Sequence, residues 1–128
     1  MGITLPRQIA VASTWTLNDF VTMAKSSPPA AGGICEVAFD QLDPNERWFI
    51  DHAVISCDST TPTVLRLYEG AVNPLYLLDG SGSGAFDVAD WPGGLAVQPT
   101  RTLIARWTGA SAGAIGTVTL QARVLRRI

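Results

Sequence analysis

The sequence predicts an all-β fold: an antiparallel β-sandwich, jelly-roll-like, of about eight strands with an extended N-terminal arm. Three observations predict it. Short apolar runs recur from Ile34 onward, each bounded by Pro, Gly, Asn or Asp. Within those runs apolar and polar side chains alternate with period two. The connections are too short for the helices that a parallel sheet needs. With 128 residues the chain has the size of one domain, long enough to bury a core without metal or disulfide.

The elements follow in order. Residues 1–33 read as an arm that ends in Ser26-Ser27-Pro28-Pro29-Ala30-Ala31-Gly32-Gly33, a stretch suited to neither helix nor ladder. Before it, Thr14 or Asn18 caps one short helix through Phe20 and Met23. Ile9, Val11, Trp15, Leu17, Phe20 and Val21 make the arm too apolar for a free tail, so it docks on its own domain or on a neighbouring subunit. Residues 34–128 form the sandwich domain. Its strands are Ile34 to Phe39, Arg47 to Cys57, Thr63 to Glu69, Leu75 to Leu78, short pieces near Phe86 and at Leu95 to Val97, Arg101 to Trp107, and Ile115 to Leu125. Arg47 to Cys57 is apolar on both faces, which places it centrally. In the last strand Val118, Leu120, Ala122 and Val124 share the apolar face, as do Leu103, Ala105 and Trp107 in the one before. Val64, Tyr68 and Ile104 sit on mixed faces and are expected to lose water on assembly.

Composition bounds the function. Hydrophobic residues make up 47% and charged residues 16%, too apolar for a disordered chain. So little charge leaves apolar surface to be covered by other subunits. A net charge of -2 gives no basic footprint for nucleic acid. The local cluster Arg123, Arg126 and Arg127 reads as a solvated end or a contact with acidic neighbours. No run reaches the length of a membrane span. No secretory signal or myristoylation pattern opens the sequence, which reads as a product of the cytoplasm. Cys35 and Cys57 match no zinc spacing; they read as two reduced, buried thiols, with a bridge between neighbouring strands as the alternative.

The candidate chemistry is sparse. His52 is the sole histidine, beside Asp51 and four residues from Ser56. In a strand Asp51 points to the opposite face and Ser56 lies beyond reach, so the residue reads as structural and the catalytic set as empty. The segment from Asp79 to Asp90 has the ligand rhythm of a calcium loop, with Asp79, Ser81, Ser83, Asp87 and Asp90 as donors. Its serines are weak ligands and its flanks read as strands, so the preferred reading is an acidic Gly-Ser turn and no cofactor. Trp91, beside Asp87 and Asp90, is a candidate for stacking on a sugar or anchoring a partner, and closure over its own core is the plainer role.

Several of these signatures occur together elsewhere. Arg47-Trp48 opens a long apolar strand that ends in Ser56-Cys57-Asp58-Ser59. Leu67-Tyr68-Glu69-Gly70, Leu78-Asp79-Gly80, Phe86-Asp87-Val88-Ala89-Asp90 and Trp107-Thr108-Gly109-Ala110 follow. From Arg47 to Arg123 the chain resembles small accessory virion proteins of tailed actinobacteriophages, of the minor tail or capsid decoration type. The resemblance implies a non-catalytic component of tail or shell, located in the virion and made in the host cytoplasm. Its partners would be further copies, as a trimer or higher, and other virion proteins, with no nucleic acid and no membrane. Contacts would run through the arm (Ile9, Val11, Trp15, Leu17, Phe20) and through Val64, Tyr68, Trp91 and Ile104, with strand edges pairing between subunits. A carbohydrate- or receptor-binding module is the alternative from another class.

Overall fold

The computed structural model describes residues 15–127. Ile9 and Val11, two of the expected arm contacts, lie outside the described residues. The described residues form eight strands: β1 (Trp15–Ser26), β2 (Ile34–Asp40), β3 (Glu46–Cys57), β4 (Val64–Glu69), β5 (Leu77–Ser81), β6 (Phe86–Val97), β7 (Thr102–Thr108) and β8 (Gly116–Arg127). They make two antiparallel sheets, ordered β1-β8-β3-β6 and β2-β7-β4-β5. The chain alternates between the sheets except at β4–β5, where a short 3-10 turn at Pro74–Tyr76 leads into the neighbouring strand of the same sheet. Eight strands wrapped in this order are a jelly roll.

The period-two pattern places the core. Trp48, Ile50, Ala53, Ile55 and Cys57 of β3 face inward, as do Val118, Leu120, Ala122 and Val124 of β8. They meet Cys35, Val37 and Phe39 of β2, Leu65 and Leu67 of β4, and Leu103, Ala105 and Trp107 of β7. Trp107 is fully buried, and its indole N–H donates to the Gly84 carbonyl at 2.9 Å, satisfying the ring's one polar group. Gly116 is required opposite it: a Cβ there would lie 2.6 Å from the Trp107 ring. Strand β3 sits between β8 and β6, the central position its doubly apolar pattern indicates.

Three expectations are corrected. The segment from Trp15 to Ser26 is not an arm carrying a short helix. It is a twelve-residue strand paired along its length with β8. The pieces near Phe86 and Leu95 are one strand, because Pro92-Gly93-Gly94 is absorbed as an irregularity within it. Gly93 and Gly94 take φ values of 79° and 89°, which only glycine adopts without strain. Finally, Asp51 and His52 do not point to opposite faces. A bulge between Ile50 and His52 interrupts the alternation, and both side chains find partners on the outer face.

Candidate functional site

Two places stand out: a cleft between the edge strands β5 and β6, and the outer face of the sheet that contains β1.

The cleft is where the two sheets part. β5 is the edge of one sheet and β6 the edge of the other, and between them lies a space of about 50 Å³. Ala53, Ile55, Leu65 and Leu67 line its floor, and Asp79, Ser81, Asp87 and Trp91 its rim. The rim is closed on itself. The Trp91 indole N–H donates to Asp79 Oδ2 at 2.8 Å, a bond that ties β6 to β5 across the gap. The Ser81 hydroxyl donates to Asp87 Oδ2, a second tie between the same strands. The bond from Ser81, with another from the Val88 N–H, holds the Asp87 carboxyl below the ordinary carboxylate range. Trp91 therefore lies on a strand, half-buried against the core, with its polar atom already used.

The five expected calcium donors are separated by this geometry. Asp79 and Ser81 belong to β5, Ser83 to the turn, and Asp87 and Asp90 to β6. Asp87 points into the cleft with Ala89 and Trp91, whereas Asp90 points to the outer face and meets His52 at 2.6 Å. Among the described residues no three His, Cys, Asp or Glu side chains converge as a metal set. The loop rhythm is a consequence of two strands and a turn: residues two apart share a face only while the chain stays in one sheet.

The outer face of the β1-β8-β3-β6 sheet carries more. Facing out are Leu17 and Phe20 of β1, Phe49 and Val54 of β3, Leu125 of β8, and Phe86 and Val88 of β6. Phe20 is 69% exposed, Phe86 61%, Leu17 51% and Val88 45%. Charged pairs are set among them. Arg123 forms a two-pronged bond with Asp51 at 2.8 and 2.9 Å, and that carboxylate raises the guanidinium's pKa further. His52 Nδ1 pairs with Asp90 on the same face. The guanidinium groups of Arg47 and Arg127 both lie over the Trp15 ring, at 4.7 and 4.9 Å from its centroid. Arg126 reaches Asp43 and Glu46. The basic cluster at the end of the chain is thus spent on acidic side chains and one indole within the molecule.

The other expected contacts fare unequally. Tyr68 and Ile104 are register partners on the outer face of the second sheet, and both are already buried, at 8% and 9%. They have no water left to lose on assembly, so only Val64, 37% exposed, remains of that group. Cys35 and Cys57 are free and buried. Their thiols lie close enough to interact, and burial pushes the Cys57 thiol pKa up. Sequence reasoning missed Phe86 and Val88, whose strand it broke in two, and also the exposed Leu75, Tyr76 and Leu77 at the β4–β5 connection. A continuous strand from Phe86 would have aligned Phe86, Val88 and Asp90 on one face, a signal hidden by the Pro-Gly-Gly that follows.

No protein-family model matches the chain, and no curated protein matches it. The class that the fold defines is therefore a jelly-roll β-sandwich, and what this sandwich does has to be argued from its surfaces.

Proposed function

We propose that the chain is a non-catalytic structural component of a tailed-phage virion, an oligomer that docks through its sandwich onto the tail or the shell. The observation that carries this reading is the outer face of the β1-β8-β3-β6 sheet, where four large apolar side chains stand in water on an otherwise ordered surface. Scattered exposed apolar residues need no explanation. Here they stand in two pairs, Leu17 and Phe20 on the edge strand β1 and Phe86 and Val88 on the edge strand β6, and each pair is read as part of a contact surface. The resemblance to accessory virion proteins supports the reading, as does a jelly roll, an architecture used by viral capsid domains among others. A tail location is preferred, with capsid decoration as the alternative.

A carbohydrate- or receptor-binding module is the weaker reading. It relies on Trp91, whose N–H is engaged by Asp79 and whose ring packs on the core. A hydrolase is weaker still: the side-chain partner of His52 is Asp90, and Ser56 is not brought to it.

The test is mass in solution together with particle composition. Light scattering on the purified chain is expected to give a multimer. Mass spectrometry of purified particles from a phage carrying this gene is expected to find the chain in many copies. A monomer at every concentration, or particles without the chain, would overturn the reading.

A further inference from the structure

Among the described residues, four strands have a single neighbour: β1 and β6 in one sheet, β2 and β5 in the other. Each presents a row of backbone groups to which another strand can add. The register identifies those groups. The Ser27 N–H donates to the Gly116 carbonyl at 2.7 Å, continuing the β1·β8 ladder, so Phe20, an odd number of residues away, points outward. The Cys57 N–H donates to the Ala85 carbonyl, so Val88 faces away from β3. The Gly70 N–H donates to the Thr102 carbonyl, which turns Leu65 and Leu67 toward β5. Their partners Ser81 and Asp79 face back, and Gly80 faces out. The Gln41 N–H donates to the Arg101 carbonyl, so Ala38 faces out from β2.

Each of these outward residues has a backbone group already occupied. The Phe20 N–H donates to Asp19 Oδ1 at 2.8 Å, the Gly80 N–H to Asp79 Oδ1 at 2.7 Å, and the Val88 N–H to Asp87 Oδ1 at 2.8 Å. On β2 the exposed group is an acceptor, and Lys25 Nζ reaches across from β1 to donate to the Ala38 carbonyl at 2.7 Å. Three edges thus use the same device, an aspartate that bends onto the N–H of the next residue. The fourth is closed by an ammonium. A strand arriving at any of these edges must displace a charge-assisted bond, and at three of them it brings its carbonyls up against a carboxylate.

We propose that Asp19, Asp79, Asp87 and Lys25 are stops that bar a second copy of this chain from adding a strand to either sheet. The inference does not depend on the proposed function, and it replaces the expectation that strand edges pair between subunits. Contacts between copies are then left to the faces.

The test compares alanine and asparagine at the stops. D19A is the primary variant, because Asp19 is exposed and its hydrogen bond goes to the adjacent N–H. The triple variant D19A/D79A/D87A opens three edges, but it also removes the ties to Trp91 and Ser81. If circular dichroism shows it unfolded, D19A alone decides. Sedimentation velocity across a concentration series is expected to show D19A self-associating roughly tenfold more tightly than wild type, the worth of about one net hydrogen bond. Infrared spectra should show new intermolecular β-structure. D19N keeps an acceptor oxygen but loses the charge, and is expected to associate less tightly than D19A. An alanine variant that sediments like wild type would overturn the proposal, and so would D19N associating as strongly as D19A.

Discussion

The two sheets share one core yet differ in length and in what they show to water. All four strands of the β1-β8-β3-β6 sheet have twelve residues, whereas those of the β2-β7-β4-β5 sheet have five to seven. At about 3.3 Å per residue the long strands span roughly 40 Å, close to twice the short ones. The outer face of the short sheet is covered at its centre, where Tyr68 and Ile104 are buried and Arg106 lies 3.6 Å from Glu36, while Val64 and Leu77 stay 37% and 45% exposed. The outer face of the long sheet keeps Leu17, Phe20, Phe86 and Val88 exposed. The stability of the fold resides between the sheets, while more of the apolar surface left to water, including both exposed phenylalanines, lies outside the long sheet than outside the short one.

Substitutions can break or sharpen that contrast. The largest effect is expected between the sheets. Trp107→Ala removes a fully buried ring and its bond to Gly84, and should cost about 3–5 kcal/mol in denaturant unfolding. A loss below about 1 kcal/mol would mean that the two layers do not share the tight interior described. Next, Tyr68→Ala and Phe20→Ala compare the two outer faces. The first should cost about 1.5–3 kcal/mol, because Tyr68 is already out of water. The second should change stability by no more than about 0.5 kcal/mol and instead weaken self-association. Equal losses at the two positions would erase the distinction. Gly116→Ala probes the fit from the long sheet toward the short one. Its methyl group meets the Trp107 ring, for an expected cost of about 1–3 kcal/mol.

The smallest effect is on pH. The Asp43 carboxyl is held below its usual value, chiefly by the Asn45 N–H and then by Arg126, and that of Asp87 by Ser81 and the Val88 N–H. For a carboxyl lowered on folding, the stabilisation is complete above the unfolded pKa, near 3.8, and is lost as pH falls through the lower folded value. Both groups are only half-buried and within reach of water, so the acid limb of a melting-temperature profile should drop only slightly. D87N should flatten part of that drop, and an unchanged profile would count against the bond from Ser81.

How far the sequence could be read depended on what each strand leans against. β7 and β8 alternate because one face of each is buried in the core, and β3 reads as a long run apolar on both faces, so the limits of all three are legible to within a residue or two. β1 is an edge strand. Most of Trp15–Ser26 is exposed, and Thr, Asn and Asp blur the period, so pairing with β8 decides its conformation and local pattern does not. β6 was obscured by Pro92-Gly93-Gly94, a turn signal that the strand absorbs. At the cleft the residue types were readable but their grouping was not. Asp79 and Asp87 line one cleft from two different sheets, and His52 finds Asp90 through a ladder that joins residues 38 positions apart. The aspartates at the edges look like turn acids in sequence; only the direction of the neighbouring N–H reveals what they do.

The most direct measurement is the mass of the chain in solution by sedimentation equilibrium, for wild type beside a Phe20→Glu, Val88→Glu variant. A wild-type multimer that the paired glutamates dissociate into folded monomers is the expected result. A wild type that stays monomeric at every concentration, or a multimer indifferent to the two charges, would contradict the assignment of that face as the contact surface.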